Sequence, residues 1–177
     1  MFKFAFLDYC PQRWLHRVSF EQQMVNHMIL GFKDGYNVYT RWVARMFARA
    51  LAGMDISDCV IVCIPASTPY SNARRWKRFS DLLCRATGAI DGYDRVRVSG
   101  CRRRIHVTGD NELASNIKHF VQIDADFFKG RKVIVIDDIY TTGRSSDAFI
   151  GSLQAVGAHV VMTLFIARTM RYDRLRK

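Results

Sequence analysis

The sequence predicts an α/β fold of one domain, a doubly wound and mainly parallel sheet with a small variable hood. Three observations carry this. Cys59–Ile64, Val133–Asp137 and His159–Ala167 are strongly apolar runs of strand length, as expected of strands buried on both faces. Segments with helical periodicity stand before and between them. A strand buried on both faces needs helices over both, and strand–helix alternation favours parallel pairing with short crossovers.

Taken in order, Phe2–Leu7 reads as a short strand. Phe20–Leu30 carries Phe20, Met24, His27 and Met28 at helical spacing. Tyr39–Ala52 is a stronger helix, with Val43, Met46, Phe47, Ala50 and Leu51 on one face and Gly53 as its stop. Pro65 ends the strand Cys59–Ile64. Ser71–Ala86 reads as a helix presenting Phe79, Leu82, Leu83 and Ala86. Val96–Thr108 is basic and part strand, and Asn111–Lys118 is a short helix. The strand Val133–Asp137 leads into a helix from Ser145 to Val156, with Phe149, Ile150, Leu153 and Val156 inward and Gly157 closing it. The hood is assigned to residues 1–35 and the tail after Ala167.

A chain of 177 residues can bury a substantial core, and 49% hydrophobic with 24% charged residues is ordinary for a globular domain. No repeat or low-complexity linker divides it. Phe2–Leu7 is too short for a membrane span and lacks a cleavage-site pattern, so no membrane role is expected. The five cysteines (10, 59, 63, 84, 101) are odd in number and include no C-x-x-C pair. That argues against both a disulfide framework and a zinc ribbon, and the chain reads as reduced and cytoplasmic, without zinc. A net charge of +11 favours an anionic partner, either a small ligand with several phosphates or a nucleic acid. The basic residues gather at Arg74–Arg78, Arg102–Arg104 and Arg168–Lys177.

The chemistry concentrates in Val133-Ile134-Val135-Ile136-Asp137-Asp138-Ile139-Tyr140-Thr141-Thr142-Gly143-Arg144-Ser145. In open parallel sheets ligands bind beyond the carboxyl ends of strands, where Asp137 and Asp138 fall. Two adjacent carboxylates are costly to bury without partners, so they are expected exposed, accepting hydrogen bonds from hydroxyls or holding water around a metal. Thr141, Thr142, Gly143, Arg144 and Ser145 follow as a hydroxyl-rich turn entering a helix, whose free N–H groups attract phosphate. A diol-binding pair beside a phosphate cradle suits a ribose 5-phosphate. Helix caps alone account for one such polar residue, not for two acids and a T-T-G-x-S loop. Neither G-x-G-x-x-G nor G-x-x-x-x-G-K-[ST] occurs.

Residues 133–145 resemble the phosphoribosyl pyrophosphate motif of type I phosphoribosyltransferases. More of the chain resembles one branch, the ComF-like proteins: Ile29–Gly35, Ile64-Pro65-Ala66-Ser67 with Arg74, Arg75, Arg78 and Phe79, and Asn116-Ile117 with Phe120-Val121. The N-terminal zinc ribbon of that branch is missing, and Lys77-Arg78-Phe79-Ser80 lacks its glycine. The resemblance implies a magnesium-dependent transfer of the phosphoribosyl group from phosphoribosyl pyrophosphate to a nitrogenous acceptor, with a nucleoside monophosphate as the related ligand. It implies that Asp137 and Asp138 hold the ribose diol, with magnesium riding on the ligand near them. Residues 141–145 would hold the 5-phosphate, and the amides of Ala66 and Ser67 the pyrophosphate. Arg74, Arg75, Arg78, Arg102, Arg103 and Arg104 are the candidate pyrophosphate or mobile-loop cations. The resemblance also allows a homodimer. The alternative it carries is a non-catalytic module that binds single-stranded DNA or a DNA-processing partner in DNA uptake (competence). Arg74-Arg75-Trp76-Lys77-Arg78-Phe79 mixes cations with aromatics as such a surface would, although Phe79 shares a helical face with Leu82 and Leu83.

Overall fold

A computed structural model of the chain describes residues 2–99 and 120–171. Its centre is a five-stranded sheet in the order β1-β7-β6-β2-β3. The strands are β1 (Phe2–Tyr9), β2 (Cys59–Cys63), β3 (Ile90–Asp91), β6 (Lys132–Tyr140) and β7 (His159–Thr169), and every neighbouring pair runs parallel. β4 (Val96–Val98) and β5 (Val121–Ile123) form a separate antiparallel ribbon. The α/β fold with a mainly parallel sheet is thus present.

The apolar runs divide their side chains between two layers. Ile61, Ile134, Ile136, Leu164 and Ile166 pack with α1 (Phe20–Lys33), α2 (Asn37–Leu51) and α4 (Arg78–Thr87) on one face. Val60, Val62, Val133 and Val135 pack with α6 (Arg144–Ala155), α5 (Ala125–Phe128) and the β4–β5 ribbon on the other. All of β2 is buried, which is why it reads as a continuous apolar run. Phe32, Phe47, Trp76 and Phe79 are fully buried, and Phe79 meets each of the other three rings at 5.5–5.6 Å between centroids. Such ring pairs add about 0.5–1.5 kcal/mol each beyond the area they bury.

Four sequence expectations change in detail. The inward face of α1 is Asn26, Ile29 and Phe32, whereas Phe20 and Met24 are exposed. The Asn26 side chain fixes this rotation by bonding both the N–H and the carbonyl of Cys10, where the chain leaves β1. The helix expected from Ser71 is a run of three pieces: α3 (Pro69–Asn72), a π turn over Ala73–Lys77, and α4, closed by Gly88 at φ +76°. β6 runs on to Tyr140, past the expected end at Asp137, because β7 continues to pair with it as far as Arg168. Phe2–Tyr9, within the segment assigned to a hood, is the edge strand of the main sheet. Asn111–Lys118 lies outside the described residues. No helix among them is long and apolar enough to cross a membrane, and the four described cysteines are buried thiols.

Candidate functional site

The site arises where two neighbouring strands end at different heights. β2 stops at Cys63, and Ile64 makes the last bond across, to the carbonyl of Ile136 at 2.8 Å. Pro65 then turns the chain away. From Asp137 to Tyr140, β6 is paired only with β7, and its other edge opens on a cleft of about 300 Å³. That volume is at the lower end of small-molecule sites, about 300–1,000 Å³. Ala66, Ser67, Arg75, Asp137, Asp138 and the turn Thr141–Ser145 all line it. The motif and the segment after β2, remote in sequence, therefore meet.

Asp137 and Asp138 differ sharply. Asp138 is 7% exposed, and its Oδ2 accepts from Arg75 Nη1 at 2.6 Å with Lys33 Nζ at 3.6 Å. Its Oδ1 accepts from the Ile139 N–H at 2.7 Å. The expectation of two exposed, unpartnered acids is corrected here: β7 keeps this end of β6 inside the sheet, and Arg75 and Lys33 compensate the buried charge. Asp137 is half-buried on the cleft floor, its Oδ1 accepting from the Asp138 N–H at 2.8 Å. Burial first, then the adjacent Asp138 carboxylate, push its carboxyl up to about 8. Asp137 therefore gives up its proton less readily than a free carboxyl, while Arg75 and Lys33 stand beside Asp138.

The turn after β6 is shaped by Gly143 at φ +83°, where an added Cβ would lie 3.0 Å from the Tyr140 ring. The first helical N–H bond of α6 runs from Asp147 to the Gly143 carbonyl, so the amides of Arg144–Ser146 have no intrahelical acceptor. These amides adjoin the cleft, as an anion site requires. Thr142 is exposed, and Thr141 is held through its hydroxyl to Thr169 at 3.1 Å.

On the opposite wall one expected donor is already engaged. The Ala66 N–H donates to Asn72 Oδ1 at 2.9 Å, so of the two amides expected to face pyrophosphate only that of Ser67 remains. Arg75 reaches the cleft, but Arg74 and Arg78 do not line it. Arg74 pairs with Asp34 at 3.2 Å and lies over Tyr70, and Arg78 is exposed at the start of α4. The π turn explains the split: it buries Trp76 and sends Arg75 inward. With Trp76 and Phe79 both buried, residues 74–79 offer no aromatic surface for stacking. Arg102, Arg103 and Arg104 lie outside the described residues. Sequence reasoning assigns no role to Lys33, Asn72 or Tyr140, which the fold brings to the site or its wall. Lys33 stands within the segment Ile29–Gly35 singled out in the sequence, and Asn72 leaves no signal.

The sequence matches no family model and no curated protein. Among solved structures, the chain is similar to the UMP synthase of Leishmania donovani, at 20% identity and a TM-score of 0.45. The match covers 75% of this chain and 23% of that one, so the chain spans well under two thirds of that protein.

Proposed function

We propose that the cleft binds phosphoribosyl pyrophosphate and transfers its phosphoribosyl group to a nitrogenous acceptor. The observation that carries this reading is the contiguity of two acids on the cleft floor with a hydroxyl-rich turn at the start of α6, facing the Ser67 loop across about 300 Å³. A sugar diol, a terminal phosphate and a second phosphate group each find a chemically suited wall.

Asp137 would accept from the ribose hydroxyls, and Asp138 would supply negative potential below a ring that becomes positive in the transition state. The turn 141–145 would anchor the 5-phosphate. Arg75, which lines the cleft, would serve the pyrophosphate. The acceptor nitrogen forms its bond to the anomeric carbon with its own lone pair. The carbon–oxygen bond breaks with its electrons leaving on pyrophosphate, which also takes the acceptor's N–H proton.

Among the described residues no group of three or more His, Cys, Asp or Glu could hold a metal by itself. Magnesium nevertheless fits the donor set, since it binds through one or two carboxylates together with substrate phosphates and water. It would ride on the diol and pyrophosphate of the ligand near Asp137 and Asp138, and its chemistry there would be to neutralise the pyrophosphate. The test is release of pyrophosphate from phosphoribosyl pyrophosphate with magnesium and a panel of purine and pyrimidine bases. Base-dependent release is expected, and none with any base would remove the enzymatic part of the reading.

A second reading, binding of single-stranded nucleic acid, is favoured by α2. Arg41, Arg45 and Arg49 recur every fourth residue on its exposed side, with Trp42 47% exposed among them and no acid anywhere on the helix. Cations at that spacing beside an exposed indole suit a phosphate backbone with stacked bases.

A further inference from the structure

The segment that follows β2 presents two groups to the cleft, and one buried side chain stands between them. Ser67 is exposed on the cleft wall, and its N–H has no partner among the described residues. Arg75 reaches the same cleft from the π turn. Asn72 is the last residue of α3 and the one before the π turn. It is buried and does not itself line the cleft.

Asn72 closes this segment on itself. Its Oδ1 accepts from the Ala66 N–H at 2.9 Å, and its own N–H donates to the Thr68 carbonyl at 2.9 Å. Thr68 Oγ1 accepts from the Ser71 N–H at 3.1 Å and so caps α3. The Asn72 side chain is also tied outward, to the Tyr93 hydroxyl. Tyr93 is fixed beside β2: its N–H donates to Asp91 Oδ1 at 2.9 Å, and the preceding Gly92 N–H donates to the Ile61 carbonyl at 2.9 Å. Asn72 therefore connects the start of the segment, its helix and the edge of the sheet.

Ala66 is buried, and a buried N–H needs an acceptor. Asn72 supplies it, which turns the Ala66 N–H into the wall and leaves the next amide, that of Ser67, for the cleft. Alanine at 72 would leave the Ala66 donor buried and unbonded, and the backbone would be driven to turn until that N–H met water or another acceptor. Only one planar peptide separates the two N–H groups, so such a turn carries the Ser67 amide with it.

We propose that Asn72 is a positioning residue: by holding the Ala66 amide, it sets the Ser67 amide as a fixed donor for the pyrophosphate group on that wall. The inference rests on the phosphoribosyl reading of the cleft, and adds to it a side chain that acts on the ligand only through the backbone it holds.

The test is calorimetric titration of the full chain, with magnesium present, using phosphoribosyl pyrophosphate, inorganic pyrophosphate and ribose 5-phosphate in parallel. Asn72→Ala should weaken binding of the two pyrophosphate ligands about tenfold, the scale of one hydrogen bond to a charged group. Its affinity for ribose 5-phosphate, which carries no pyrophosphate, should stay that of the wild type and shows that the variant is folded. Asn72→Asp keeps an acceptor for the Ala66 N–H and should bind both pyrophosphate ligands more tightly than Asn72→Ala. Equal losses for all three ligands would reduce Asn72 to a structural role and overturn the proposal. Asn72→Asp binding no better than Asn72→Ala would overturn it too. If phosphoribosyl pyrophosphate binds and Asn72→Ala leaves its affinity unchanged, the positioning role fails alone. If the wild type binds inorganic pyrophosphate through Asn72 but neither ribose ligand, the phosphoribosyl reading fails, while Asn72 remains the positioning residue of an anion wall. Binding of none of the three by the wild type would overturn both.

Discussion

Replacing Arg75 by methionine isolates the feature that most distinguishes this site, the buried Asp138 paired with Arg75 beneath a ligand cleft. Asp138 is 7% exposed, and its shortest ion pair is the 2.6 Å contact to Arg75. Removing one partner of a buried pair costs about 3–5 kcal/mol when the remaining charge stays buried. Two features reduce that cost here. Lys33 Nζ stays 3.6 Å from the same oxygen, and the Arg75 side chain is 18% exposed, so water can reach the vacated space. The expected loss is about 2 kcal/mol, a fall in Tm of about 4–8 °C for a chain of this length. Arg75→Met with Asp138→Asn removes both charges and should return to within about 1 kcal/mol of the wild type. Urea denaturation of the four proteins, closed as a double-mutant cycle, measures the coupling directly. A loss below about 0.5 kcal/mol for Arg75→Met, or additivity in the cycle, would refute the claim that this ion pair is what allows the acid to be buried.

Other expectations follow from the same geometry. The Asp137 carboxyl is raised to about 8 in the folded chain, against about 3.9 in an unfolded one, so the native state holds the extra proton between those values. Its contribution is fully present below about pH 4 and is lost as pH rises towards 8. Stability measured from pH 4 to 9 should therefore fall less steeply in Asp137→Asn, and identical slopes would contradict the raised value. Gly143→Ala places a Cβ 3.0 Å from the Tyr140 ring at φ +83°, and should cost about 1–3 kcal/mol and weaken anion binding, read by thermal shift with and without phosphate. If α2 binds single strands, serine at Arg41, Arg45 and Arg49 should lower the salt slope of affinity by about 0.7 for each phosphate no longer neutralised. An unchanged slope in fluorescence anisotropy would clear α2 of that role.

The central strands are legible because burial on both faces writes an apolar run into the sequence, as in Cys59–Cys63 and Val133–Ile136. The acids and the turn behind them are legible because β6 loses its β2 neighbour after Ile136, where the apolar run gives way to Asp137 and Asp138, and because Gly143 stands at a helix start. The rotation of α1 is not legible. It depends on Asn26 bonding the Cys10 backbone, an interaction across sixteen residues that no periodicity carries. The roles of residues 74–78 are hidden for a related reason. A π turn shifts the helical phase, so that Arg75 and Trp76 turn inward while Arg74, Lys77 and Arg78 stay exposed. Asn72 is polar and buried because it receives the Ala66 N–H, and only the folded loop reveals that partner. The ionic state of Asp138 follows the same rule: its compensating cations come from α1 and from the π turn, far away in sequence.

If the proposed function is right, the cleft binds phosphoribosyl pyrophosphate through the floor of β6. Titration calorimetry with this ligand and magnesium, on the wild type and on Asp137→Asn, tests it most directly. Asparagine keeps the shape of Asp137 without its ionisable group, and Asp138 with its two cations is left in place. Magnesium-dependent binding to the wild type is expected, with a loss of about tenfold in the variant, the upper scale of one hydrogen bond to the ligand. No binding to the wild type, or equal affinity in both proteins with the fold intact, would contradict it.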